Sequence, residues 1–126
     1  MSTIKVTNIQ DTSGNNSSTS EEIAQGRAKA WVNFDGTGTV AISDSFNVSS
    51  ITDNAAGNYT VTMTNALGNA NYCLVVGGNS YNPGNDNWTI HEDGNHTRTT
   101  TTFRLFTNQA TSSFDSGRVC AAVFGD

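Results

Sequence analysis

Charge is scarce in this chain of 126 residues: Lys and Arg number 6, Asp and Glu 11, and charged side chains make up 13 %, about half the usual share. The cations Lys5, Arg27, Lys29, Arg98, Arg104 and Arg118 are scattered along the chain. Nucleic-acid binding needs a clustered cationic face that displaces counterions from phosphates. With a net charge of −5 and a pI near 4.7, no nucleic-acid partner is expected. Long apolar runs are missing too. Nothing approaches the roughly 20 residues of a membrane-spanning helix, and the opening MSTIKVTNIQ lacks the apolar centre of a secretion signal. Synthesis in a cytosol and no membrane partner are expected.

Cysteine and proline are nearly absent. Cys73 and Cys120 lie in the apolar runs NYCLVV and RVCAAVF, where small buried hydrophobes are expected rather than a disulfide. With no CxxC there is no zinc motif. Pro83 is the single proline, and the apolar share is 35 %, below the usual level. What fills the space is 18 Thr, 16 Asn, 13 Ser and 12 Gly. These residues favour strand faces and turns over helix interiors. One all-β domain with many loops and a modest core is therefore expected.

The pattern along the chain agrees. Ser2 to Gln10 has a rough period of two, with Ile4, Val6 and Ile9 as its apolar positions, and a polar stretch, DTSGNNSSTSEE, follows. Thr19 and Glu22 have capping-box spacing, so Ser20–Gln25 reads as a short helix closed by Gly26. From Arg27 onward strand follows strand. Ala28, Ala30, Val32 and Phe34 alternate with Lys29, Trp31 and Asn33, and Asp35-Gly36 reads as a two-residue hairpin turn. Val40 and Ile42 mark the return, and Phe46, Val48 and Ile51 another element. DNAAGN (53–58) reads as a turn, and Tyr59, Val61 and Met63 share one face against three threonines. Tyr72–Val76, Trp88–His91, His96–Phe106 and Val119–Phe124 complete the strands. Short strands at intervals of about 8–12 residues predict an antiparallel β-sandwich or jelly-roll-like domain. The expected division is an extended N-terminal arm, 1–25, and a β-sandwich, 26–126.

Chemical motifs are few. If Asp93-Gly94 were a two-residue turn, His91 and His96 would face each other across a hairpin with Glu92 beside them. That makes them the one weak metal candidate, two ligands short of a closed site. The segment GNDNWTIHEDGNH is rich in oxygen ligands but lacks EF-hand spacing. There is no GxSxG and both histidines fall in one segment, which argues against a serine hydrolase. Asp35, Asp44, Asp86 and Glu92 are conceivable carboxylate pairs for glycoside cleavage, but their flanks are turn-like, where Asp serves the backbone. No enzymatic activity and no cofactor are expected. Tyr81, Asn82 and Trp88, in the glycine- and asparagine-rich stretch 77–87 and at its end, form the best surface for stacking on a sugar. Six N-x-[ST] sequons, beginning at Asn15, Asn16, Asn47, Asn58, Asn87 and Asn95, are close to what this composition yields by chance.

Three blocks carry a resemblance: IKVTNIQDTSGNN (4–16), GRAKAWVNF (26–34) and FNVSSITDNAAGNYTV (46–61), followed by NANY (69–72) and a closing VCAAVFG (119–125). Together they are similar to a family of phage structural proteins, known as tail-fibre or virion proteins of marine phages, including those of cyanobacteria. The similarity spans most of the chain, with 77–116 the freer part. It implies a virion component made in the host bacterial cytoplasm, built of β-sandwich modules and commonly trimeric. Many members carry the module at the end of a long shaft, and none is expected here. A capsid decoration or head-fibre role is therefore expected beside that of a short tail fibre or tip. Assembly as a homotrimer would also cover sheet edges. The arm, through Ile4, Val6 and Ile9, is expected to attach to other virion proteins. The alternative reading is a carbohydrate-binding module that recognises a host surface glycan.

Overall fold

Three buried side chains, Tyr59, Val61 and Met63, alternate with the half-exposed Asn58, Thr60 and Thr62 in the strand whose sequence alternates most cleanly. That pattern is what a strand with one face on a core requires, and it recurs around the molecule. The structure, a computed structural model, describes residues 1–79, 88–109 and 111–125. Its elements are β1 (Asn8–Ile9), β2 (Ser18–Thr19), α1 (Ser20–Gly26), β3 (Ala30–Asp35), β4 (Ala41–Phe46), β5 (Val48–Ala55), β6 (Asn58–Met63), β7 (Cys73–Gly78), β8 (Trp88–Glu92), β9 (Thr102–Gln109), β10 (Ser112–Ser113) and β11 (Val119–Phe124).

Two antiparallel sheets pack face to face. One has the order β4-β3-β11-β7; the other has the order β10-β9-β6-β5, with β8 also paired to β9. The core is filled from both: Ala30, Val32 and Phe34 of β3 and Val119, Ala121 and Val123 of β11 meet Tyr59, Val61 and Met63 of β6 and Phe103 and Leu105 of β9. Phe34 and Tyr59 meet edge to face across the sheets, ring centroids 5.2 Å apart. Each of the larger of these side chains, once removed from water, contributes about 1.5–3 kcal/mol. The expected all-β sandwich is the fold observed.

Several local expectations change. Asp35-Gly36 is not a two-residue turn. Asp35 pairs with Ala41, and the longer loop 36–40 is held by Asp35 Oδ1, which accepts from the Thr37 amide at 2.8 Å and hydroxyl at 2.6 Å. A bulge between Asn33 and Phe34 shifts the register, so that Phe34 faces Ile42. The tight turn lies instead at Ala56-Gly57, where Ala55 pairs with Asn58 and Gly57 has φ +69°. Cys73 is exposed and Cys120 half-buried, and both are free thiols. They fall on the outward positions of β7 and β11, whose inward positions belong to Leu74, Val76, Val119 and Ala121, so the expectation of buried cysteines is corrected.

The capping box and the short helix after it form as expected. Thr19 accepts from the Glu22 amide while the Glu22 carboxylate accepts from the Thr19 amide at 2.7 Å, a complete capping box. Arg27, extended in φ and ψ, ends the helix by donating its amide to the Ile23 carbonyl, so no left-handed glycine is used. Towards the N-terminus only Asn8–Ile9 forms strand, pairing with Ser18–Thr19. The expected period-two stretch from Ser2 is otherwise irregular, because no neighbouring strand is there to bond its backbone.

Candidate functional site

The arm presents apolar side chains that no described residue covers. Ile4 is 87 % and Ile9 57 % exposed, Val6 is exposed as well, and no residue from 1 to 29 is buried. Asp11 shapes the turn between β1 and β2, its Oδ1 accepting from the amides of Ser13 and Asn15. The hydrogen bond from the Thr19 amide holds the Glu22 carboxyl below its usual range.

A second apolar surface lies on the outer face of the β4-β3-β11-β7 sheet. The register aligns Phe46, Trp31, Ala122 and Val75 in one rung across all four strands. Phe46 is 55 %, Val75 52 % and Trp31 37 % exposed. Between Trp31 and Val75 runs a shallow groove of about 390 Å³ floored by Cys120 and Ala122.

A third surface is a cleft of about 620 Å³ at one end of the sandwich, lined by Asp35, Thr37, Gly38, Ala56, Ser113, Phe114, Asp115 and Gly117. Three connections meet there, and hydrogen bonds lock them. Asp115 Oδ1 accepts from the Gly57 amide and from the Tyr59 hydroxyl, both at 2.7 Å. The Gly36 amide donates to the Ser116 carbonyl at 2.9 Å. Burial, and then the neighbouring Asp115 carboxylate, raises the Tyr59 hydroxyl far above the ordinary phenol range, so it remains a donor. Hydrogen bonds from Thr37 hold Asp35 below the usual carboxylate range, so it is charged at neutral pH.

The remaining sequence candidates separate. Tyr81 and Asn82 lie outside the described residues. Trp88 begins β8 and packs edge to face on Phe114, centroids 4.6 Å apart, so the indole is half-buried as a wall of the sandwich end. His91 faces Phe106 on β9, ring centroids 5.6 Å apart. His96 lies in the connection 93–101, its amide donating to the Asp93 carbonyl. The expected His91–His96 pairing across a tight hairpin is therefore corrected: β8 pairs with Leu105–Gln109, well beyond His96. Among the described residues no group of three or more His, Cys, Asp or Glu is placed to hold a metal.

The acidic residues of that connection are engaged structurally. Glu92 pairs through both oxygens with the Arg98 guanidinium, which also donates to the Tyr72 carbonyl and lies 4.8 Å from the centre of the Tyr72 ring. Asp93 accepts from the Asn95 amide and from Asn58 Nδ2, with Arg104 at 3.9 Å. The Asn95 hydrogen bond is the largest cause of its lowered pKa.

No sequence signal marks Asp115 or Phe114. SSFDSG carries no chemical signature, and the cleft joins residues from 35 to 117, so no local window contains it. In the sequence Asp35 is only one of several conceivable carboxylates. No protein-family model, curated protein or solved structure matches this chain. Among the described residues no helix is long and apolar enough to cross a membrane.

Proposed function

We propose that this chain is a non-enzymatic structural protein of a bacteriophage virion, either a short tail-fibre or tip module or a capsid decoration (head-fibre) protein. The observation that carries the reading is a division of labour along the chain. Among the described residues every buried apolar side chain lies within 30–123, while the arm before them leaves Ile4, Val6 and Ile9 exposed. A stiff body with an uncommitted apolar tether suits attachment to a larger assembly, where the tether adds to a neighbour's sheet or groove.

The similarity of 4–16, 26–34 and 46–61 to phage structural proteins favours a virion as that assembly, and a homotrimer as the attached unit. With charged side chains at 13 %, much of the surface is uncharged and polar and can hydrogen-bond between copies. Many weak contacts on one particle then give avidity that no single contact has. The engagement of Asp93 and Asp115 with backbone amides, and of Glu92 with the Arg98 guanidinium, supports a non-catalytic role. Trp88 spends one edge of its environment on Phe114, which weakens the glycan-binding alternative.

The test is particle incorporation. In gradient-purified particles the full chain is expected to co-sediment with the virion, and deletion of Ser2–Ser20 is expected to leave a folded protein in the unbound fractions. Incorporation unchanged by the deletion would remove the arm from this role.

A further inference from the structure

We propose that the cleft at the Asp35 end of the sandwich receives Lys5 from the arm of a second copy of this chain. The inference rests on the arm's role as a tether, but not on the assembly being a virion; it names the partner that the tether grips.

The cleft defines its guest by sign and by polarity. Its described lining holds two carboxylates, Asp35 and Asp115, and no lysine, arginine or histidine. Arg118, the next residue after Gly117, is exposed and is not part of the lining. Asp35 is charged, as its hydrogen bonds with Thr37 dictate. Phe114 and Ala56 supply apolar wall between the two carboxylates' loops. A guest that matches is a cation on an apolar stem, which lays its methylenes along such a wall and pairs its head with carboxylate oxygens. An anion is excluded by charge.

The chain carries that guest on its least committed segment. Lys5 is the single Lys or Arg among the first 26 residues, and it stands between Ile4 and Val6 on a stretch with no strand partner. In an extended segment Lys5 points opposite to Ile4 and Val6. With Lys5 seated, those two side chains stay on the far side of the arm, free for a larger partner.

In this structure the arm stays away from the cleft of its own chain. The arm enters the sandwich at Ala30, one end of β3, and the cleft opens at Asp35, the other end. That strand spans roughly 20 Å at the usual rise per residue. No arm residue lines the cleft of its own chain. Arm exchange of this kind links each copy to the next, and a ring closes it without leaving free arms or empty clefts.

The experiment mixes full-length ¹⁵N-labelled and unlabelled protein in equal amounts at micromolar concentration and couples amines to carboxylates with a zero-length carbodiimide. Peptide mass spectrometry is expected to find Lys5 joined to Asp35 or Asp115 in mixed-isotope pairs. Light scattering is expected to find an oligomer whose self-association weakens by about tenfold or more in Lys5→Glu, the size of effect that follows when like charges replace a pair at an interface. Asp35→Lys is expected to weaken it equally, and the double exchange Lys5→Glu with Asp35→Lys to restore it. Lys5 is exposed and lies outside every strand and helix, so its variant is expected to keep the fold even if that of Asp35 does not. Crosslinks only within one chain, Lys5 joined elsewhere, or a monomer with unaltered sequence each overturn the inference. If these fail while incorporation into particles still requires Ser2–Ser20, the tether stands and its partner is a different protein.

Discussion

Tyr59 donates its phenolic hydrogen to Asp115 Oδ1 at 2.7 Å, and the same oxygen accepts the Gly57 amide at 2.7 Å. One carboxylate thereby ties the centre of one sheet, the Ala56-Gly57 turn and the segment leading into β11, which belongs to the other sheet. Removing the hydroxyl alone, in Tyr59→Phe, keeps the ring against Phe34 and leaves Asp115 short of a donor. A loss of about 1.5–3 kcal/mol is expected, the range for hydrogen bonds to charged groups. Denaturant unfolding measures it, and an unchanged midpoint would mean that this bond does not couple the sheets.

Two glycines with left-handed backbone separate conformational strain from crowding. Gly38, φ +61°, has open space around it, whereas a β-carbon on Gly57, φ +69°, would collide with the Thr107 carbonyl oxygen and crowd the Phe114 backbone. Gly38→Ala is expected to cost about 1–2 kcal/mol, the penalty of the left-handed conformation. Gly57→Ala is expected to cost more than about 4 kcal/mol or to prevent folding. Equal effects of the two would contradict the packing described for the turn.

Acid should weaken the connection 93–101 through Asp93. Its folded pKa is lowered, chiefly by the Asn95 amide, so its contribution is complete above the unfolded carboxyl pKa of about 3.9 and disappears as pH falls through the lower folded value. Asp93→Asn is expected to be destabilised at neutral pH, with its deficit against the parent shrinking as pH drops below about 4. Thermal unfolding followed across that range tests this; a deficit independent of pH would assign the effect to packing rather than charge.

The arm should lose structure without the body noticing. Thr19→Ala removes the capping box at a cost of about 1 kcal/mol to α1. Since no residue of α1 is buried, the main unfolding transition is expected to stay where it is while amide exchange in 20–26 accelerates. A shifted main transition would mean that the arm packs on the sandwich.

How much of this was legible beforehand depended on distance along the chain. The Tyr59–Met63 face, the Ala30–Phe34 face and the Thr19–Glu22 cap were all readable, because alternation and capping are local and a one-sided core enforces them. Asp35-Gly36 misled because its motif fits a tight hairpin. Gly36 is instead needed where its amide meets Ser116 and where a β-carbon would run into the Tyr59 ring, both far away in sequence. Cys73 and Cys120 misled because their apolar runs lie on a sheet whose outer face is itself apolar, so alternation between core and solvent is blurred. His91 and His96 looked paired because Asp93-Gly94 resembles a turn, yet the Arg98–Glu92 ion pair and the Asp93 hydrogen bonds stabilise a much longer connection. The cleft had no signature at all, since its two carboxylates are 80 positions apart, from Asp35 to Asp115.

A three-dimensional reconstruction of purified particles from a host producing this chain tests the proposed role most directly. Density for the two-sheet body, repeated by the particle's own symmetry on the outside of the capsid or tail with residues 1–20 reaching into a neighbouring subunit, is the expected result. Particles that carry no copy of the chain, while the same lysate holds it folded and free, would contradict it.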